Sequence, residues 1–289
     1  MQKLPVVTAR ILKVNSEELS EADDLLAAEE PLEIRLGYGE ANDRSQKSIS
    51  VTMRTPGNDF ELALGFLFTE GIIKDVDDIF QIKYCSDSNR IEDKENIVRV
   101  ELKEKIIPDL KKLERHFYTS SSCGVCGKSS IESVRREICQ LPTSDCRLIQ
   151  SSLILKLPDL LRNHQQVFKY TGGLHASALF NLDGELIFVR EDVGRHNALD
   201  KLIGAALTKK MMPLSWHILL LSGRISFELV QKAAMAGIKM IAAVGAPSGL
   251  AVEMAKSFDI TLIGFLRDKR FNIYSGEERI IIKEKVIYQ

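Results

Sequence analysis

Three apolar runs in the last third of the chain, "WHILLLSG", "IKMIAAVGA" and "ITLIGFLR", alternate with "SFELVQKAAMAG" and "SGLAVEMAKSF". The runs have strand length and β-forming composition, and the two intervening segments have helical length and helical spacing of their apolar positions. This β-α-β-α-β order predicts parallel strands joined by helical crossovers. Runs that are apolar at nearly every position, and not at every second one, predict a sheet covered on both faces. The C-terminal part of the chain is therefore expected to form a three-layer α/β sandwich.

Upstream the periodicity changes. "VVTARILKV", "PLEIRLGY" and "KSISVTMRT" alternate with period two and predict strands, whereas the acidic "SEELSEADDLLAAEE" has no clear period and is expected to be a solvated connector. "NDFELALGFLFTEG" predicts a helix with Asn58 as N-cap, an apolar face of Leu62, Phe66 and Leu67, and a stop at Gly71. "FQIKYCS" and "NIVRVELKE" are further strand candidates, and a short helix from Pro108 is expected within Ile107 to His116. A boundary near residue 115 would separate an N-terminal α+β domain, 1–115, from a C-terminal α/β core domain, 116–289. In the second domain "SSIESVRREICQ", "SLILKLPDLLRNHQ" and "HNALDKLIGAAL" predict helices. "HASALFNLDGELIFVRED" predicts a hairpin turning at Asp183 and Gly184.

With 289 residues, 45% of them hydrophobic and 27% charged, the chain can bury a substantial core. A formal net charge of -1 gives no global attraction to nucleic acid or to a membrane surface. No apolar run reaches membrane-spanning length. Met1 to Lys13 lacks the pattern of an export signal, so a cytoplasmic protein is expected. Five cysteines (Cys85, Cys123, Cys126, Cys139 and Cys146) in a reducing compartment point to metal binding, catalysis or burial before disulfides.

Two of those cysteines define the sharpest local feature. Cys123 and Cys126 lie in "FYTSSSCGVCGKSS", among small and hydroxylated residues unsuited to a core, just before a predicted helix. Structural zinc, dithiol redox chemistry and a nucleophilic or sulfur-carrying thiolate all use a C-x-x-C pair. Zinc needs four ligands, and Cys139 fits the apolar face of its helix while Cys146 stands alone. A thioredoxin-like pair follows an early strand, which this one does not. A thiolate is favoured by Lys128 and by the N–H groups of the following helix, and Gly124 and Gly127 loosen the loop around it.

Several blocks carry a resemblance. "MRTPGNDFELALGFLFTEGII", "SSSCGVCGKSSI", "GGLHASALF", "REDVGRHNALDKLIG", "SGRISFELVQKAAMAGI" and "GAPSGLAVEMA" resemble the FdhD family of formate dehydrogenase accessory proteins, in order, from about residue 30 onward. The resemblance implies a cytidine-deaminase-like α/β core in a homodimer. It implies a sulfurtransferase that takes sulfur from a cysteine desulfurase to the Mo-bis(molybdopterin guanine dinucleotide) cofactor for formate dehydrogenase. It makes Cys123 the persulfide carrier with Cys126 as its loop neighbour, and it places the cofactor-binding segment at Phe265, Leu266, Arg267, Asp268, Lys269 and Arg270. No metal site is expected.

Other loops carry polar groups at the carboxyl ends of the predicted strands, where open α/β sheets bind ligands. Ser222, Gly223, Arg224, Ser248 and Gly249 are candidates for phosphate contacts or, equally, for helix caps and turns. Asp192, Arg195, His196 and Asn197 would order a pocket or bind a base, and His175 is expected in a buried network. A zinc deaminase is excluded by its own signature: Ser177 stands where the H-x-E glutamate belongs, and no proline precedes Cys123. A nucleotide sensor with regulatory cysteines is the remaining rival.

Overall fold

The computed structural model describes residues 3–16, 18–85, 95–109 and 148–282. The C-x-x-C stretch, with Cys123, Cys126, Cys139 and Cys146, lies outside the described residues, as do the helix expected at "SSIESVRREICQ", most of the one expected from Pro108, and the boundary expected near residue 115.

The chain opens with β1 (Val6–Asn15) and β2 (Glu18–Ala27), an antiparallel ribbon of its own. The acidic segment is thus a strand and not a connector. A ribbon with both faces largely open needs no period-two apolar pattern, and the β2 acids find a cross-strand cation in Arg10, which pairs with Glu21. Then come β3 (Glu30–Glu40), β4 (Asp43–Arg54), α1 (Asp59–Thr69), β5 (Ile79–Tyr84) and β6 (Ile97–Leu102). The strands form a four-stranded sheet in the order β4-β3-β6-β5. Asn58 occupies the N-cap position of α1 but in left-handed backbone, φ 56°, and its side chain makes no capping hydrogen bond. Gly71, φ 68°, supplies the expected stop.

After the short strand β7 (Ile149–Gln150), "SLILKLPDLLRNHQ" divides into α2 (Ser151–Ile154) and α3 (Leu157–His164), with Pro158 in the first turn of α3. There follow α4 (Phe168–Thr171), the hairpin β8 (His175–Asn181) and β9 (Leu186–Asp192), and α5 (Arg195–Thr208). The remaining elements are β10 (His217–Leu221), α6 (Phe227–Met235), β11 (Met240–Ala243), α7 (Gly249–Ser257), β12 (Thr261–Arg267), β13 (Arg270–Ser275) and β14 (Ile280–Ile281).

The β10, β11 and β12 strands are parallel, as their crossovers require. The whole sheet is nevertheless mixed. Its order is β13-β12-β11-β10-β8-β9, with β8 antiparallel to β10 and β13 antiparallel to β12. The central strands carry apolar residues on both faces because successive residues enter different cores. Leu219, Leu221, Ile241 and Ala243 join one that includes α1, α5, α6, α7 and the buried residues of β3 and β6. Ile218, Leu220, Met240 and Ala242 join another with Ile154, Leu157 and Leu161 of α2 and α3. Helices on both faces of the six-stranded sheet make the expected three layers, and the four-stranded sheet packs behind α1.

Buried ion pairs connect these layers. Arg54 of β4 grips Asp59 of α1 through two hydrogen bonds of 3.0 and 2.9 Å, and Tyr84 donates to the same carboxylate at 3.1 Å. Lys232 of α6 donates to Asp200 of α5 and Thr69 of α1, each at 2.9 Å.

Candidate functional site

The parallel strands all end at one edge of the sheet, and the antiparallel β8 begins there. That edge gathers His175, Ser222 to Ile225, Val244 to Ser248 and the β12–β13 turn. The loops are joined by main-chain hydrogen bonds. The Ser222 N–H donates to the Ala176 carbonyl at 3.0 Å, that of Gly245 to Gly223 at 3.2 Å, and that of Phe265 to Gly245 at 3.0 Å.

Close approach explains the glycines. A Cβ on Gly245 would fall 2.7 Å from the Gly223 carbonyl oxygen, so the second loop lies against the first only without a side chain there. A Cβ on Gly223 would meet Nδ1 of His175 at 3.0 Å, so this glycine leaves room for the imidazole.

Above this edge, between it and α3 and α4, lies a cavity of about 680 Å³. Its floor includes Val244, Leu266 and Ser222. Arg267, Asp268 and Lys269 of the β12–β13 turn line it too, as do Arg162, Gln165 and His175. The volume suits one nucleotide-sized ligand. Arg162, Arg267 and Lys269 outnumber Asp159 and Asp268 on the lining, so the cavity favours an anion. Glu191 holds α4 in place by accepting hydrogen bonds from the N–H groups of Val167 and Phe168, at 3.0 and 2.9 Å.

The segment Phe265 to Arg270 is a hairpin tip, with another strand of the sheet after it. Asp268 and Lys269 both have positive φ, 53° and 57°, the backbone of a tight turn between twisted strands. Arg267, Asp268 and Lys269 reach the cavity, and Leu266 is its buried apolar support. Phe265 and Arg270 are not among the lining residues. Phe265 has φ 54° and sits within an irregular stretch of the β12–β13 pairing, between Gly264 and Arg267.

The other polar candidates divide. Ser222 lines the cavity, and its Oγ accepts from the Ala176 N–H at 2.8 Å. Ser248 caps α7, accepting from the Ala251 N–H at 3.2 Å. Asp192 forms a buried pair with Lys201 at 2.7 Å, and its carboxylate also accepts from the N–H groups of Thr55 and Gly194. Asn197 donates to the Met53 carbonyl at 2.8 Å. These two residues therefore hold the β9–α5 loop to β4. His175 borders the cavity instead of lying in a buried network. Burial, then the Arg195 charge, holds its pKa below the usual histidine value. His196 is pushed down to about 4, first by burial and then by Arg195 and Lys232, and its Nε2 lies 3.1 Å from Ser226 Oγ.

Arg162 and Gln165 belong to a stretch that the sequence identified only as helical. Arg162 lies in α3 and Gln165 just after its end, and their place on the cavity depends on how that helix packs across the sheet edge, which local periodicity does not encode.

The family model described as the FdhD/NarQ family matches residues 27–281. The chain belongs to this family. Among its relatives, the sulfur carrier protein FdhD of Streptomyces coelicolor is 47% identical over 285 residues, covering 96% of each chain. The sulfur carrier protein FdhD of Sulfurisphaera tokodaii is 41% identical over 278 residues, covering 96% of this chain and all of its own. The fold is also similar to the crystal structure of a Desulfotalea psychrophila protein assigned as a formate dehydrogenase accessory protein. The TM-score is 0.71 at 24% identity, with 96% of this chain and 99% of that one covered. The FdhD/NarQ match thus spans the ion-paired layers, the sheet edge and the cavity, and it runs through the C-x-x-C stretch.

Proposed function

We propose that the chain is a sulfur carrier that moves sulfur from a cysteine desulfurase to a molybdenum cofactor bearing guanine dinucleotide arms, for formate dehydrogenase. In this reading it works in the cytoplasm as a homodimer, and its six-stranded core is of the cytidine-deaminase-like kind. The observation that carries the reading is the cavity at the sheet edge, lined by Arg267, Lys269, Arg162 and His175, in a chain whose relatives are named sulfur carriers.

The cofactor is the substrate, and the residues present fit one of its arms. Arg267, Lys269 and Arg162 supply charge-assisted hydrogen bonds to phosphate, and Leu266 and Val244 supply an apolar floor for a flat base. Phe265 and Arg270 complete the binding segment by shaping the turn that presents Arg267, Asp268 and Lys269.

The Cys123 thiolate attacks the outer sulfur of the donor's persulfide. A new sulfur–sulfur bond forms on Cys123, the donor's bond breaks, and the donor leaves as a thiolate. For release, the Cys126 thiolate attacks the inner sulfur, on Cys123. A Cys123–Cys126 disulfide forms and the outer sulfur departs as hydrosulfide, a ligand suited to the metal. A cellular thiol then reduces the disulfide.

Mass spectrometry after incubation with an active cysteine desulfurase and cysteine tests the reading. One added sulfur on Cys123 is expected. An unmodified Cys123 under the same conditions would turn the assignment toward a nucleotide sensor.

A further inference from the structure

The cavity at the sheet edge changes character with depth. Its charged groups Asp159, Arg162, Arg267, Asp268 and Lys269 are all exposed, whereas Leu161, Leu174 and Leu266 on the same lining are buried. The rim is therefore charged and the interior apolar. Gln165 interrupts that interior: it lines the cavity and is only 6% exposed.

The main chain of Gln165 is fully occupied. Its N–H donates to the Leu161 carbonyl at 3.1 Å, and its carbonyl accepts from the Lys169 N–H at 3.2 Å. The side-chain amide, by contrast, makes no hydrogen bond among the described residues. Ser222 Oγ, also on the lining, is already engaged by the Ala176 N–H. Burying an amide without a partner is costly, and such a group is retained where a ligand or water completes it.

We propose that Gln165 reads the base edge of the cofactor's guanine arm, which enters the cavity base first. An amide offers a donor and an acceptor side by side in one plane, and guanine presents the complement at O6 and N1–H. Nε2 of Gln165 donates to O6, and Oε1 accepts from N1–H. The diphosphate stays at the rim with Arg162, Arg267 and Lys269, where charged groups keep much of their hydration. The reverse orientation would bury the diphosphate among three leucines and leave the amide unpaired. The inference rests on the cavity being the nucleotide site in the function proposed above. It assigns one part of the ligand to one side chain, so it fails separately from that reading.

Isothermal titration calorimetry of the full chain with GDP and with pyrophosphate decides it. GDP carries the base without the pterin, whose ring has a similar edge, and pyrophosphate carries neither. Gln165→Met keeps the side chain's length and removes both hydrogen-bonding atoms. It is expected to raise the GDP Kd at least about tenfold and the pyrophosphate Kd less than about twofold. Lys269→Ala is expected to weaken both ligands. The melting temperature of Gln165→Met should stay within about 3 °C of the parent's, because no side-chain hydrogen bond of the described fold is broken. Equal GDP affinity in parent and Gln165→Met, a matching loss for pyrophosphate, or a larger fall in melting temperature overturns the proposal. GDP binding that depends on Lys269 but not on Gln165 overturns it while the cavity reading stands. A parent that binds no GDP overturns both, and the Cys123 sulfur test is independent of either.

Discussion

Gly204 on α5 lies so close to Glu61 on α1 that a Cβ built on it would fall 1.9 Å from the Glu61 carbonyl oxygen. The reverse contact is as tight, with a Cβ on Gly65 falling 1.8 Å from the Asp200 carbonyl oxygen. The two helices meet backbone to backbone, and α5 in turn packs on β8 and β9 of the central sheet. Gly204→Ala must therefore separate them. Its cost is expected to be about 3 kcal/mol or more, at the upper end of overpacking effects, because main chain and not a flexible side chain has to move. Urea unfolding measures it, and a loss below about 1 kcal/mol would mean that the helices have room to slide apart.

Arg54 and Asp59 are a buried pair joined by two hydrogen bonds. Arg54→Met leaves the Asp59 carboxylate with the Tyr84 hydroxyl and no cation in that grip. A loss of about 3–5 kcal/mol is expected on removing one partner of such a pair. Asp59→Asn in the Arg54→Met background is expected to recover part of it, because the buried charge is then gone.

The depressed pKa of His196 has a definite sign. The unfolded chain takes up a proton on this residue below about 6.5, whereas the folded chain resists until about 4. Folding stability from this group is therefore lost as pH falls through that window. Arg195, Lys232 and His175 all disfavour the charged form, and Glu228 alone among the named neighbours favours it. His196→Gln is expected to flatten the fall in melting temperature between pH 6.5 and 4. An unchanged slope would show that His196 titrates normally.

Three neighbouring side chains on the β12–β13 turn should move nucleotide affinity in opposite directions. Arg267→Ala and Lys269→Ala are each expected to weaken GDP binding about tenfold, the scale of a charge-assisted hydrogen bond at a partly open rim. Asp268→Asn removes an acid from the same turn and is expected to tighten it. Added salt should shrink all three effects. Isothermal titration calorimetry tests the set, and equal affinities throughout would place phosphate elsewhere.

The central sheet is legible in the sequence because its residues meet two cores at once. The unbroken apolarity of "ILLL" and "MIAA" is the direct signature of Leu219 and Ile241 on one face and of Leu220 and Ala242 on the other. Of the ribbon, β1 was legible in "VVTARILKV", but β2 was not, for the opposite reason. Its stability depends on few burial constraints, so "ELSEADDLLA" carries no period. At the cavity, the charged turn at Arg267 to Lys269 announces itself locally. The rest of its lining does not: Arg162 and Gln165 lie about 100 residues earlier and reach the site only through the packing of α3. Gly223 was legible as a turn residue, but its role beside His175 is a matter of tertiary contact.

Delivery of labelled sulfur tests the account most directly. The chain is loaded with isotopically labelled sulfur through a cysteine desulfurase, freed of donor, and given sulfur-free cofactor and formate dehydrogenase. Label is expected to pass to the cofactor from the parent. It should remain on Cys123 in the Arg267→Ala, Lys269→Ala double variant, and it should never load onto Cys123→Ala. Label reaching the cofactor equally well from all three would contradict both the carrier cysteine and the cavity.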